Sequence, residues 1–575
     1  MLKPLITSLL FIASLSSFAA ERPNIVLILT DDQGYGEVAA HGNEIIQTPE
    51  MDKLYHEGVR LDNYHVNSIC SPSRAALVTG RYASRVGVWH TLGGRNIIRK
   101  DEKTMADHFS TAGYTTGMVG KWHLGDNAPY RPEDRGFQDV FRIGGGSIGQ
   151  LPDYWKNNLW DGHYWHNDQW VKTKGFCTDV QFDYAIDFIE KNQQKSFFLF
   201  VSTTAPHSPT GADKKYLEPY EKAGLDKGIC AFYGMVTNID DNIGRLRNKL
   251  RELKLEENTI VIFCSDNGSA CDKKGDSFNG GMNGKKGSLY DGGHRVPCFL
   301  YWPKGGWVGG KQLDQLTAHI DLLPTLLAAC AIKDSLGVKF DGIDLQQIIA
   351  NPAKKLSRTL ITENKANKRD QKFQHGVILH DDWRLIEGEQ LFDIQSDFPQ
   401  KENVAKDHSE TVKMMRDSYS AWYQEIKGRF DELTPIEISS EEVELYSMDL
   451  YPNETTAEKG KVVWNQKGVS KGEQYRGFWA LDIKETGQYK ISLRRWPHYL
   501  KASLTTDGDS KTKALSIKSA TLTYAGKTLT TKLNPQSEQA DFQVDLAAGS
   551  QKLQAEFIDA KGKAFSAYYV YIQKL

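Results

Sequence analysis

One cysteine in this sequence stands in a local pattern that suits a nucleophile. Cys70 is followed closely by Pro72 and Arg74, in the order Cys-Ser-Pro-Ser-Arg. Proline fixes a backbone torsion just after the thiol, and arginine places a permanent cation near any anion that is attacked. The apolar run at 75–78 predicts the first turns of a buried helix, whose positive end would face that anion. The alternative is a buried cysteine at a loop-to-helix junction, and the pattern favours the nucleophile.

Two pairs of polar residues could bind a metal ion. Asp31 and Asp32 follow one apolar run, and Asp266 and Asn267 follow another. Alone, the aspartate pair could equally form a helix cap or a turn. Together the four residues offer three carboxylates and an amide oxygen, which predicts one calcium ion, with magnesium as the second choice and zinc disfavoured. A dication would also offset the repulsion between these carboxylates and an anionic substrate.

Four basic side chains are candidates for substrate binding and proton transfer. Lys121 and His123 alternate, so both would point to the same side of an extended segment. His207 lies in a loop stiffened by prolines, and Lys286 lies among glycines that let the backbone approach a ligand. Each could instead be an ordinary solvated loop residue.

The elements that must position these residues are apolar runs with the character of buried strands. Polar candidates follow each run directly, and ligands bind at the carboxyl ends of strands in open α/β sheets. The runs are Asn24 to Leu29, Thr115 to Val119, Ser196 to Ser202 and Thr259 to Phe263. We therefore predict an α/β fold in which a mixed, mostly parallel sheet is flanked by helices and gathers one shared site.

The length of the chain and a change in its pattern of apolar residues indicate more than one domain. The chain has 575 residues, too many for one ordinary core. Alternating strand and helix patterns extend to about residue 433, which predicts a catalytic α/β domain over 20–433. After that, short alternating runs such as Gly487 to Leu493 predict a β-sandwich-like domain over 434–575.

The N-terminus predicts export. Lys3, an apolar run and Ser17-Phe18-Ala19 are typical of a signal peptide over 1–19, cut after Ala19, which implies a periplasmic or secreted protein without a membrane anchor.

The net charge of -2 provides no basic field that would attract nucleic acid. Six further cysteines could form up to three disulfides, whose connectivity spacing does not fix: Cys177, Cys230, Cys264, Cys271, Cys298 and Cys330.

The motif around Cys70, with the order of the other segments, resembles the formylglycine-dependent type I sulfatases of the alkaline-phosphatase-like superfamily. The resemblance covers residue 22 to about residue 408. It implies that Cys70 is oxidised to formylglycine by a formylglycine-generating enzyme, and that Asp31, Asp32, Asp266 and Asn267 bind one calcium ion which modified Cys70 touches. Asp291 stands where many relatives carry glutamate, and we expect this difference to have little effect on function.

The resemblance also implies roles for the basic residues. Arg74 would stabilise the aldehyde hydrate, and Lys121 and Lys286 would hold the sulfate oxygens. By the same resemblance, one hydroxyl of the hydrate would attack sulfur. His207, alone or together with Lys286, would protonate the leaving oxygen, and His123 would take the proton of the second hydroxyl as sulfate is expelled.

The expected substrate is a sulfated oligo- or polysaccharide. Aromatic residues from Trp155 to Trp170 could stack on sugars, although most of them would simply pack a hairpin on the core. Arg494 and His498 are further candidates for substrate binding, and a surface strand end explains them equally well. Two alternatives remain open: a phosphonate or phosphate ester hydrolase of the same superfamily, and a noncatalytic protein that binds sulfated glycans.

Overall fold

The computed structural model of the protein describes residues 22–271, 277–364, 372–453 and 462–575. The predicted signal peptide lies outside these residues. Within the described ranges, none of the helices is both long enough and apolar enough to cross a bilayer.

The N-terminal part alternates strands and helices as the apolar pattern predicts. In chain order the elements are β1 (Asn24–Thr30), α1 (Pro49–Glu57), β2 (Val59–Leu61), β3 (Tyr64–His65), α2 (Cys70–Thr79), α3 (Met105–Thr111), β4 (Thr115–Gly120), β5 (Asp139–Arg142), β6 (His163–His166), β7 (Gln169–Lys172), α4 (Cys177–Asn192), β8 (Phe197–Ser202), α5 (Lys214–Lys222), α6 (Lys227–Glu252), β9 (Thr259–Ser265), α7 (Asp291–His294), β10 (Cys298–Tyr301), β11 (Lys311–Leu313), β12 (Thr317–Ala318), α8 (Leu322–Ala329), α9 (Gln346–Ala350), β13 (Thr359–Glu363), β14 (Gly376–His380), β15 (Trp383–Ile386), β16 (Gln390–Asp393) and α10 (Ser409–Ile426). The four strands predicted from the sequence are β1, β4, β8 and β9.

A ten-stranded mixed sheet forms the centre of this part, in the order β11-β2-β10-β9-β1-β8-β4-β5-β6-β7. The run from β9 to β5 is parallel, and the hairpin β6–β7 and strand β10 are antiparallel to their neighbours. Parallel strands put their carboxyl ends at one edge, so the four predicted strands deliver their trailing residues to the same place.

Both faces of the sheet are buried, which explains why its central strands are continuously apolar. Along β1, Ile25 and Leu27 contribute to the core that contains α2, α3 and α8, whereas Val26 and Ile28 contribute to the core that contains α1, α4 and α6. A smaller antiparallel sheet, β13-β14-β15-β16, packs against α10. The predicted α/β class is confirmed.

The C-terminal part is rich in antiparallel strands. Its elements are β17 (Ile436–Ile438), β18 (Val443–Tyr446), β19 (Tyr451–Pro452), α11 (Gln466–Lys471), β20 (Gly477–Ile483), β21 (Gly487–Arg494), β22 (Ile517–Tyr524), β23 (Lys527–Lys532), β24 (Gln539–Leu546), β25 (Gly549–Asp559), β26 (Ala564–Ser566) and β27 (Tyr569–Lys574). Strands β17-β20-β25-β22-β23 and β18-β27-β21-β24 lie in two sheets that share one apolar core, as in a sandwich. Leu151 and Trp155 of the N-terminal part join that core. The boundary at 433/434 stays a prediction, and the first strand of this part begins three residues beyond it.

The suggestion of up to three disulfides is wrong for this structure. All seven cysteines are described and buried, and none is disulfide-bonded. Cys264 and Cys298 lie opposite each other on β9 and β10 and are still not joined. Most of these side chains fill apolar core positions, where cysteine behaves as a small hydrophobic residue.

Candidate functional site

The candidate nucleophile is the first residue of a buried helix. Cys70 begins α2, and its side chain is 2% exposed. Its Sγ lies 3.7 Å from Oδ1 of Asp32. Burial raises the pKa of the Cys70 thiol to about 12, so an unmodified thiol stays protonated at neutral pH. Such a thiol is a poor nucleophile, because the thiolate is the reactive form.

The predicted metal ligands come together at the carboxyl ends of β1 and β9. One ligand atom from each of Asp31, Asp32, Cys70 and Asp266 lies within 4.8 Å of the others. The backbone N–H of Asp32 donates to Oδ1 of Asp266 at 3.0 Å, and Nδ2 of Asn267 donates to Oδ1 of Asp32 at 2.8 Å. These bonds tie the two strand ends together.

The donor set fits calcium. Oδ1 of Asn267 is buried and, among the described residues, has no hydrogen-bond partner. A buried amide oxygen without a partner is costly, and a hard cation beside it would remove that cost. Three carboxylates and this amide oxygen are the ligands that calcium prefers.

Three cations surround the carboxylates. Arg74 donates from Nε to Oδ2 of Asp266 at 2.9 Å, and Nζ of Lys121 donates to Oδ1 of Asp31 at 2.8 Å. Nζ of Lys286 donates to Oδ2 of Asp32 at 2.7 Å. Because each buried carboxylate has a cationic partner, the desolvation cost of the cluster is offset by close pairing.

Charge pairing decides the ionisation of Asp32. Burial alone would raise the pKa of its carboxyl, but Lys286, His207 and Lys121 outweigh burial and hold that pKa well below its usual range. Asp32 also has a φ of 74°, a left-handed conformation that aspartate tolerates better than most side chains. Its carboxylate is therefore charged and fixed in position.

His123 is arranged as a neutral base. Its Nε2 donates to the backbone oxygen of Thr91 at 3.1 Å, while Nδ1 is buried and, within the described part of the chain, makes no hydrogen bond. Burial, reinforced by Lys121 and Arg74, holds the pKa of His123 well below its usual range. The unprotonated Nδ1 is thus available to accept a proton.

His207 reaches the same cluster from the loop after β8. Its Nδ1 donates to the backbone oxygen of Ser208 at 2.6 Å, and its Nε2 lies 3.6 Å from Oδ2 of Asp32. Its side chain is 18% exposed. This position between the carboxylates and solvent suits a group that exchanges a proton with a bound molecule.

Two further residues of the site were not predicted from the sequence, because their residue types alone do not indicate a functional role. Ser202, the last residue of β8, accepts from Nη1 of Arg74 at 2.6 Å and donates to the backbone oxygen of Lys121 at 2.8 Å. Glu37 accepts from the N–H of Gly34 and from Oγ of Ser269, both at 2.5 Å, and so joins the loops that follow β1 and β9. Burial raises the pKa of Glu37 to about 7. Only its position after Asp31-Asp32-Gln33-Gly34 could have drawn attention to it.

A second cluster of metal-ligand types is filled by an arginine. Suitable atoms of His65, Asp291 and His294 lie within 4.8 Å of one another. Nε of Arg384 donates to Oδ1 of Asp291 at 3.0 Å, and Nη2 of Arg384 lies 3.3 Å from Nε2 of His65. The guanidinium already supplies the positive charge, so this cluster is a buried polar network. It also gives Asp291, the predicted family departure, a structural role.

The two predicted sugar-binding residues of the C-terminal part lie outside the carboxylate cluster. Arg494 is 4% exposed, and its guanidinium donates to Gln539 and to the backbone oxygens of Trp496 and Leu500. These bonds do not favour a role in substrate binding. His498 is exposed and lines a cavity together with Tyr499.

The part of the chain that contains this site is similar to known proteins. A family model described as Sulfatase matches residues 23–332. The chain is 32% identical over 360 residues to N-acetylgalactosamine-6-sulfatase of Rattus norvegicus and 32% identical over 348 residues to arylsulfatase J of Mus musculus. The first match covers 58% of this chain and 66% of the relative, and the second covers 57% and 56%. The chain thus spans less than two thirds of the length of these curated relatives.

The fold is also similar to that of a solved structure. The crystal structure of Ps i-CgsB in complex with k-i-k-neocarrahexaose superposes with a TM-score of 0.64 and 27% sequence identity. The match covers 72% of this chain and 95% of that chain.

Proposed function

Because this chain belongs to the sulfatase family of the alkaline-phosphatase-like superfamily, we propose that it is a hydrolase that removes sulfate from a sulfated carbohydrate. The resemblance identified from the residues around Cys70 is confirmed at the level of family and fold. The substrate class is supported by a relative named N-acetylgalactosamine-6-sulfatase and by a similar solved structure that contains the oligosaccharide k-i-k-neocarrahexaose.

One observation carries this proposal. Cys70 lies at the N-terminus of α2 with its Sγ among the ligand atoms of Asp31, Asp32 and Asp266, and Lys286 lies beside them. A nucleophile, an oxygen-rich metal site and several cations are what an attack on a sulfate ester requires.

Calcium would be held by Asp31, Asp32, Asp266 and Asn267, with residue 70 in contact. When bound, it would supply positive charge that draws the sulfate oxygens into place and favours ionisation of the attacking hydroxyl. Magnesium is the second choice, because it keeps its own waters more strongly.

The protein's own residues would divide the remaining chemistry. Residue 70 acts as formylglycine hydrate, made from Cys70 by a formylglycine-generating enzyme. One of its hydroxyls attacks sulfur, and Lys121 and Lys286 hold sulfate oxygens while Arg74 holds the hydrate. His207 donates a proton to the departing sugar oxygen, so that the sugar leaves as an alcohol and sulfate stays on residue 70.

His123 completes the cycle. Its unprotonated Nδ1 accepts the proton of the second hydroxyl as the bond between sulfate and residue 70 breaks, which restores the aldehyde. Water then rehydrates the aldehyde. The buried, protonated thiol of unmodified Cys70 lacks the second hydroxyl, so turnover should require the modification.

The proposed location is the periplasm or the extracellular medium. This rests on the predicted signal peptide at 1–19, which lies outside the described residues. Amino-terminal sequencing of the exported protein would test it: a mature chain beginning at Ala20 supports export, and an uncleaved chain contradicts it.

The decisive test is the mass of the tryptic peptide 61–74, taken from protein produced with active formylglycine-generating machinery, together with sulfate release. An aldehyde at position 70 and release of sulfate that is lost in Cys70→Ala would support the proposal. A persistent thiol would favour a sulfated-glycan-binding protein. Faster turnover of a matched aryl phosphonate than of the aryl sulfate would favour a phosphonate hydrolase.

A further inference from the structure

A cavity of about 290 Å³ lies where the hairpin β6–β7 meets the C-terminal sheets. Two tryptophans of the hairpin, Trp165 and Trp170, line one side. They are direct cross-strand partners, and their ring centroids lie 5.3 Å apart at nearly right angles. Both are only partly buried. Paired, partly exposed indole rings at a cavity wall offer the flat apolar surface on which a sugar ring stacks.

Further lining residues come from the segment after β21 and from β27. Tyr499 is 38% exposed, and His498 is exposed beside it. Tyr571 donates to a carboxylate oxygen of Glu444, which also lines the cavity. Aromatic rings with polar groups at their edges are typical of sites that combine stacking with hydrogen bonds to hydroxyls.

The charge of the lining selects against a sulfated ligand. Its carboxylates are Asp126, Asp153, Glu437, Glu441, Glu442 and Glu444, and its guanidiniums are Arg131 and Arg142. Both guanidiniums are already paired, Arg131 with Asp134 at 2.8 Å and Arg142 with Asp126 at 3.4 Å. Glu437 is paired with Lys100 at 2.7 Å, and burial raises the pKa values of Asp153 and Glu444 to about 7. The negative charge that repels a sulfate group therefore rests mainly on Glu441 and Glu442, and carboxyl oxygens accept hydrogen bonds from neutral hydroxyls.

One loop separates this cavity from the catalytic histidine. Asp126 lies three residues after His123, and the N–H of Gly145 donates to Oδ1 of Asp126 at 2.9 Å. The next residue, Gly146, packs so tightly against the imidazole of His123 that an added Cβ would lie 2.2 Å from Nε2. A ligand in the cavity and a substrate beside His123 would therefore lie on two sides of the same short loop.

We propose that this cavity binds an unsulfated sugar residue, as a second carbohydrate site formed jointly by the hairpin and the C-terminal β-domain. Together with the proposed sulfatase function, on which this extension rests, the cavity would hold an uncharged unit of a longer glycan whose sulfated unit lies at residue 70. Binding of the uncharged unit itself does not depend on catalysis.

The test uses the full-length protein and a panel of unsulfated probes. The probes are chemically desulfated k-i-k-neocarrahexaose and hexasaccharides of galactose, glucose, mannose and xylose, measured by titration calorimetry and saturation-transfer NMR. We expect at least one probe to bind the wild type, with about tenfold weaker binding in Trp165→Ala and in Trp170→Ala. The matched control is Trp160→Ala, because Trp160 is a tryptophan that is 38% exposed and does not line the cavity. Its binding should be unchanged.

Two further readouts separate the possible failures. Thermal unfolding checks that the variants fold, and turnover of a small aryl sulfate should be the same in wild type, Trp165→Ala and Trp170→Ala. Loss of probe binding without loss of turnover supports the cavity site. If no probe binds the wild type, or if Trp160→Ala loses as much affinity as the cavity variants, the inference is overturned. If no sulfate ester is hydrolysed but the cavity variants still lose probe binding, the proposed function fails and the sugar site remains.

Discussion

Gly146→Ala should damage catalysis through the imidazole of His123. The Cβ that alanine adds would lie 2.2 Å from Nε2, 2.3 Å from Cε1 and 2.4 Å from Cδ2 of the ring. Ordinary van der Waals contact begins at 3.4 Å, so the ring or the loop must move by about 1 Å. Gly146 does not have a positive φ, so its backbone accepts alanine and the effect is confined to this contact.

The size of the expected loss in rate follows from the proposed role of His123 as a proton acceptor. A shift of about 1 Å in a group that exchanges protons with the reacting atoms costs about 100-fold in rate, or about 2.7 kcal/mol in activation free energy. Steady-state kinetics on a sulfated substrate that the wild type hydrolyses would measure it. Gly428→Ala is the matched control, because an added Cβ there meets nothing within 4 Å.

A double variant tests whether Gly146→Ala acts through His123. In His123→Ala the ring is gone, so adding Gly146→Ala should cost little more. If Gly146→Ala keeps more than half of the wild-type rate, or if the two losses multiply in the double variant, the proposed contact between the loop and His123 does not control catalysis.

Three other predictions concern charge, metal and thiols. Glu37 has a folded-state pKa of about 7, above its unfolded value near 4.5. Between these pH values the folded protein holds a proton that the unfolded chain releases. The free energy of unfolding should therefore fall as pH rises from about 4.5 to about 7, by up to about 3 kcal/mol from this group. Urea unfolding should show that Glu37→Gln, which mimics the protonated form, loses this part of the slope, and an identical slope in both proteins would contradict the assignment. Calcium should raise the thermal midpoint of the wild type more than that of Asn267→Ala, and equal shifts in both would remove Asn267 from the ligand set. Alkylation of the denatured, unreduced mature protein should label the six cysteines other than Cys70, and any thiol protected until reductant is added would disprove the absence of disulfides.

The sequence alone placed the candidate site residues together because their signals are local. A continuously apolar run predicts a strand buried on both faces, and a polar residue directly after it must lie at the strand's carboxyl end. This placed Asp31, Lys121 and Asp266 at one edge of the sheet. The spacing of Cys70, Pro72 and Arg74 likewise depends on a single turn of backbone. The sandwich-like C-terminal part followed from alternation with a period of two.

Only the tertiary structure decided how these residues are paired and what lies between them. Arg74 bonds to Asp266, which is 192 positions away, and Glu37 joins the Ser269 loop across 232 positions. Such contacts depend on strand order and register, which local periodicity does not specify. The cavity likewise depends on the tertiary structure, because Trp165 and a segment more than 300 residues later line it together. The number of cysteines allowed disulfides, and only the structure shows that none forms.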